Sequence, residues 1–460
     1  MKLKLISLAT ALSLPFCAGS ALAKATPEEI ARLGNDLTCV GALKAGNAEG
    51  TIPEWSGKWL GAPPHIQFSG TGKHPIDPYA DEKPILEITA ANVAEHADKL
   101  SEGQRAMFAK YPDTFRILVY PTHRDFRYPD SVCEATKRNA AEAEIVDNGM
   151  GVDIAHAYTN GFLFPFPKTG EELLWTVIIP YRAHTEELVS DNAYVIANGN
   201  INWGRVKSRN MAPSHKPDTI EPVGERAASY YLNETLLPER DRGEINTGVE
   251  YYNYKLKPRQ SWRYDPGTRR VRQSPGYGFD MAFPGSGGSI TVDEVRVWNG
   301  SPERYEWNIV GQKEMYIPFH AYRLHSPDVK YADLLTKGHA NPEYLRYELR
   351  RVWVLEGKLK EGFRHLYSRR MMFVDADTLF AVAGDNYDSR GELWRTSLVN
   401  HFYAYEMNTW QAGAAFYHDL NAATYLGFNL VNEQPNGYNL NTDKISERDF
   451  GPEAARRAGQ

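Results

Sequence analysis

Cysteine is scarce in this sequence: Cys17, Cys39 and Cys133 are the only three among 460 residues. So few sulfurs exclude a disulfide-dense scaffold, and no C-x-x-C pair appears to suggest a zinc or redox site. No G-x-S-x-G elbow and no H-E-x-x-H stretch is present, which removes the commonest hydrolase and metalloprotease signatures. Positive charge is not in excess. Lys plus Arg number 52 against 58 Asp plus Glu, a formal net charge of −6. An acidic surface argues against nucleic acid, whose phosphates need clustered Lys and Arg. Long apolar runs are missing as well, for none approaches the ~20 residues of a membrane-spanning helix.

The one short apolar run lies at the start. Lys2 and Lys4 precede Leu5–Phe16, and Ala21-Leu22-Ala23 offers an A-x-A cleavage site before Lys24. This is the pattern of a cleaved secretory signal over residues 1–23. A lipid anchor on Cys17 is disfavoured by the bulky Phe16 before it. The sequence therefore predicts a periplasmic protein, with peripheral attachment to the outer membrane left open. Cleavage leaves 437 residues and removes two lysines, taking the formal charge to −8. That length exceeds what one simple core supports. The expected organisation is a helical and loop region over 24–165 packed on a sheet region over 166–460, with 24–460 as one domain the alternative. Cys39 and Cys133 remain as an even pair in an oxidising compartment and predict a disulfide; two buried free thiols are the alternative.

Aromatic residues are abundant, with 27 Tyr, 18 Phe and 10 Trp. They concentrate in segments of period two. Over 347–359, Tyr347, Leu349, Trp353, Leu355 and Leu359 fall on one face, and Glu348, Arg350, Glu356 and Lys358 on the other, which predicts a strand with one covered face. The stretch to Trp394 continues as strand, turn, strand, turn, strand. Further strands are expected near 189–203, 226–237, 249–255, 259–264, 269–273, 292–298 and 305–317, and a last hairpin pairs 412–418 with 424–430. Asp265, Asp375 and Asp419 each open a turn with Thr near the next strand. Helices are expected from Thr26, over 88–111, 131–147 and 171–181, the last exposing Trp175, with a helical interlude at 328–345. The fold class is mainly β with helical additions: a large curved antiparallel sheet, or half-open β-barrel, with a helical lid.

Few residues point to chemistry. Pro284-Gly-Ser-Gly-Gly-Ser289 lacks the Lys and the helix of a phosphate loop and reads as flexible loop. Asp385, Asp388 and Glu392 are interrupted by Tyr387 and Arg390 and read as a hydrogen-bonded turn rather than a calcium site. His320 and His325 have no third ligand nearby. No catalytic residue, metal site or cofactor is predicted. Arg–aromatic neighbours such as Trp262-Arg-Tyr264, Arg351-Val-Trp353 and Trp394-Arg395 read either as sheet packing or as an apolar surface with guanidinium groups for an acidic lipid head.

Several runs together resemble one family. They are Val40–Trp55, Phe164-Pro-Phe-Pro-Lys-Thr-Gly170, Tyr264-Asp-Pro-Gly-Thr-Arg-Arg-Val-Arg272, Asn299–Trp307, Arg346–Val354 and Asp385–Trp394. They match the bacterial family DUF1329, whose members are labelled outer-membrane lipoprotein-sorting-like and are distantly similar in fold to the Lol lipoprotein carriers. The Cys39/Cys133 pair and Leu174-Trp-Thr-Val177 depart from the family's usual pattern. The resemblance implies a half-closed sheet that holds acyl chains, and partners among outer-membrane barrel proteins or inner-membrane transporters. The leading expectation is a non-enzymatic carrier or binding protein for lipids, lipoproteins or other hydrophobic molecules. Its expected cavity residues are Trp262, Tyr264, Trp307, Arg351, Trp353, Leu355, Phe373 and Trp394, lidded by Phe162, Phe164, Phe166 and Trp175. Two alternatives stay open: an adaptor without a ligand that docks a barrel or transporter, and a hydrolase or lyase on the same scaffold.

Overall fold

The computed structural model describes residues 24–68, 70–275 and 277–459; the export signal read over 1–23 lies outside them. Strand-forming segments rich in β-branched and aromatic residues dominate the chain. The first strands are β1 (Leu86–Ile88), β2 (Ile117–Val119), β3 (Thr185–Val195) and β4 (Ile201–Met211). Next come β5 (Ala227–Leu237), β6 (Ile245–Tyr251), β7 (Gln260–Asp265), β8 (Arg270–Gln273) and β9 (Tyr305–Pro318). The expected meander supplies β10 (Tyr347–Leu359), β11 (Arg369–Asp375), β12 (Ala381–Tyr387) and β13 (Leu393–Ala404). Last are β14 (Thr409–Asp419), β15 (Thr424–Leu430) and β16 (Asn439–Leu440).

All sixteen belong to one sheet. Its neighbours run β9–β10–β11–β12–β13–β14–β15–β3–β4–β5–β6–β7–β8. Pairing is antiparallel throughout, apart from a single parallel bridge between Tyr347 and Val119 that attaches β1 and β2. The β15–β3 pairing, with Tyr425 opposite Val195, joins the C-terminal meander to the earlier hairpins. The outermost strands, β9 and β8, do not pair with each other, so the sheet is not closed into a barrel. The three Asp-led turns form as expected: Asp265 accepts from the N–H groups of Gly267 and Thr268, Asp375 from Thr378, and Asp419 from Asn421 and Ala422.

Among the described residues six helices flank the sheet: α1 (Pro27–Arg32), α2 (Glu102–Lys110), α3 (Asp130–Glu142), α4 (Gly170–Ile178), α5 (Tyr331–Leu334) and α6 (Gly451–Ala458). Thr26 and Glu29 cap α1 reciprocally, as the sequence predicts. Gly170 opens α4 because a Cβ there would stand 2.2 Å from the backbone of Trp307 on β9. A disulfide joins Cys39 to Cys133 on α3. Among the described residues no helix is long and apolar enough to cross a membrane.

Several boundaries differ from expectation. The single helix over 88–111 is instead β1, a 3₁₀ turn over Val93–Lys99 and α2, because Ser101 and Gln104 form their own capping box and restart the helix. The strand at 189–203 is a hairpin, turned at Ile196–Asn200 around Gly199 with φ +94°. The strand at 292–298 is absent: Val292–Glu294 is a 3₁₀ turn, and Arg296 and Val297 take positive φ. The first half of β10 is covered on both faces, not one, while Lys358 near its end stays exposed. Glu348 and Arg350 are buried because the N-terminal region packs over them. Arg350 donates to the carbonyl of His123 and pairs with Asp375 (2.7 Å), while Glu348 holds His320 (2.8 Å) and Arg346 (3.0 Å).

Candidate ligand cavity

Eight neighbouring strands, β12 to β15 and β3 to β6, border a single cavity of about 220 Å³. That one hollow touches so many adjacent strands means the sheet curves around it. Along β4 and β5 most lining residues sit at alternate positions, as period two favours: Val206, Ser208 and Asn210 on β4, and Ser229, Tyr231, Asn233 and Thr235 on β5, joined by the neighbouring Met211 and Tyr230. The walls differ in character. Ala381, Trp410, Ala412 and Phe428, with Val177 and Ile178 at the end of α4, form an apolar wall. Ser208, Asn210, Ser229, Asn233, Thr235 and Asn246 make the β4–β6 side the more polar one, interleaved with Val206, Met211, Tyr230 and Tyr231. A second cavity of about 230 Å³ lies by the Cys39–Cys133 disulfide, and Trp410 borders both.

The cavity is roofed by the long connection between β8 and β9. Tyr277, Phe283, Pro284, Val295, Arg296, Trp298 and Asn299 of this strap all line it. Phe283 meets Phe428 edge-on with centroids 5.6 Å apart, and Trp298 meets Trp307 at 4.7 Å. Two buried acids pin the strap. Asp293 accepts from Arg370 (2.7 Å) and Thr291 (2.7 Å) and contacts His365 (3.0 Å). Burial pushes its carboxyl up, but Arg370 and His365 outweigh that and hold it well below the usual range. Glu294 accepts from Tyr367 (2.8 Å) and Asn386 (2.9 Å). Its burial outweighs the nearby Arg395 and Arg370 and raises its pKa.

The sequence profile of DUF1329, a family of proteins of unknown function, matches residues 87–456. The chain belongs to the DUF1329 family. It is 36% identical over 449 residues to an uncharacterized protein of Pseudomonas aeruginosa, covering 97% of each chain. A solved DUF1329 family protein from Desulfovibrio piger aligns with a TM-score of 0.40 at 15% identity, covering 59% of this chain and 92% of that one. A LolA superfamily protein from Nitrosomonas europaea aligns with a TM-score of 0.37 at 10% identity, covering 63% and 100%.

None of the eight cavity residues expected from sequence lines the hollow of this DUF1329 protein. Trp307 and Leu355 are buried in a core cluster with Trp298 and Tyr305. Tyr264 is buried under α6 and donates to the carbonyl of Gly459. Phe373 is buried in the main core, and Trp353 is half-buried between two core clusters. Arg351 donates to the carbonyl of Ala45, Trp394 donates to Asp419, and Trp262 is half-buried on β7 opposite Gln273.

The expected lid is corrected. Trp175 is not exposed: it is fully buried, donating to the carbonyl of Gly149 and packing against Tyr254, because α4 lies with both faces covered. Phe162 and Phe164 are buried in two separate core clusters and Phe166 is half-buried. The strap takes the roofing position instead. Its signal in the sequence was the Gly/Pro-rich run at 284–289, read as plain loop. The polar wall was missed as well; its signal was the spacing of Ser208/Asn210 and Ser229/Asn233/Thr235.

The cavity's charges are uneven. Arg182, Arg259 and Arg296 line it against Glu186 and Glu250. Arg259 pairs with Glu250, and Arg296 stands 3.7 Å from Glu186. His401 is neutral: burial, with Arg296 adding to it, pushes its pKa down to about 3. Among the described residues no group of three or more His, Cys, Asp or Glu side chains gathers to hold a metal ion.

Proposed function

We propose that this protein is a non-enzymatic periplasmic carrier or binding protein for amphipathic molecules, and that the roofed cavity is its binding site. The observation that carries the reading is the division of the cavity into an apolar wall and a polar wall with guanidinium groups. Such a hollow suits a ligand with a hydrocarbon part and a polar end. Covering about 400 Å² of alkyl surface at ~25 cal/mol/Å² contributes on the order of 10 kcal/mol, enough for micromolar binding after the costs of association. The export signal read at Lys2–Ala23 and the Cys39–Cys133 disulfide support an oxidising compartment outside the cytoplasm. The descriptions of two solved proteins that align with this chain, one of an outer-membrane lipoprotein-sorting domain and one of a LolA superfamily protein, agree with such a role.

The test is titration of the mature protein with a neutral fluorescent hydrophobe such as N-phenyl-1-naphthylamine. Saturable binding at one site is expected. Ala412→Trp, which places an indole in the hollow, should remove it while leaving the unfolding transition cooperative. Undiminished binding in that variant would move the site elsewhere.

A further inference from the structure

Arg182 follows α4 at the start of the run into β3 and lines the cavity. Among the described residues it forms no ion pair and no hydrogen bond, and its buried Nε has no partner. Arg182 is half-buried with its Nε closed off from solvent, and a guanidinium remains charged at neutral pH, so leaving that N–H unpaired is costly. The cavity's two carboxylates are already engaged. Glu186 accepts from Asn210 (3.0 Å) and Gln411 (2.8 Å) and faces Arg296, and Glu250 is held by Arg259. Three guanidiniums against two carboxylates leave one positive charge uncompensated, and Arg182 is the group that carries it.

We infer that Arg182 binds the acidic head of a singly charged amphiphile whose alkyl part lies on the Trp410–Ala412–Phe428 wall. This rests on the cavity reading above and adds the ligand's charge class and the residue that selects it. Other groups around Arg182 agree. Burial, then the neighbouring Arg296 charge, pushes its pKa down to about 10. His215 is buried with Nδ1 unpartnered and is held neutral by burial and by Arg182. A carboxylate can accept two parallel N–H bonds from a guanidinium, a geometry that an alcohol cannot reproduce.

The experiment compares dodecanoate with dodecanol by calorimetry on the mature protein at neutral pH, in wild type, Arg182→Gln and Arg182→Met, with thermal unfolding as the folding check. Wild type is expected to prefer dodecanoate by about tenfold or more, the scale of a charge-assisted hydrogen bond. Both variants should bring the ratio close to one. Equal wild-type affinities, or a preference that survives in either folded variant, would overturn the assignment of Arg182. Wild type binding neither amphiphile would instead overturn the cavity reading on which it rests.

Discussion

Nη2 of Arg370 on β11 donates to Oδ1 of Asp293 in the strap at 2.7 Å, with both side chains only 1% exposed. This buried pair ties the roof of the cavity to the sheet. A buried ion pair adds little over a well-packed apolar pair, but losing one partner strands a charge away from water.

Asp293→Ala should therefore destabilise the protein by about 3–5 kcal/mol, seen as a lower denaturant midpoint. Arg370→Met combined with it should recover much of the loss, because the stranded guanidinium is gone. A loss below about 1 kcal/mol in the single variant would show that the pair does not anchor the strap.

Stability should fall as pH drops from neutral. Burial pushes the pKa of His320 and His325 down to about 4 and of His401 and His418 to about 3. The unfolded chain protonates these rings near 6.5, so their effect is flat above that pH. Below it, each costs about 1.4 kcal/mol of stability per pH unit until its folded value is reached. Asp293 and Glu348 have lowered folded pKa values, so their contribution is present above the usual carboxylate range and is lost only in stronger acid. Urea midpoints at pH 7, 6 and 5 check this; a series that does not decline would refute it.

Reducing Cys39–Cys133, which closes a separation of 94 residues, should lower stability by ~4–5 kcal/mol on the loop-entropy account. Thiol titration of the unfolded, unreduced protein should find no free thiol in the mature chain. Two thiols, or an unchanged urea midpoint after reduction, would go against it.

The strands were legible because period two survives wherever one face meets the core, as at Tyr305, Trp307 and Ile309 against Glu306 and Asn308. The turns were legible because Asp fixes them through local hydrogen bonds. The cavity was not, for a physical reason. A hollow inside a curved sheet is lined by whichever face turns inward, and which strands surround it depends on the pairing of β15 with β3, partners more than 200 residues apart in sequence. The aromatics singled out were the wrong ones: Trp307 and Tyr264 fill the interior, while Trp298, Trp410 and Phe428 border the hollow beside small residues such as Ala381, Ala412 and Ser208. Arg182 stood in no motif, and its significance lies in the partner it lacks.

The most direct test is native mass spectrometry of the protein purified from its own cells, followed by solvent extraction and identification of what is released. A near one-to-one complex with an acidic amphiphile, lost in Ala412→Trp, is the predicted result. A protein that is empty on purification and stays empty after incubation with membrane lipids would contradict the account.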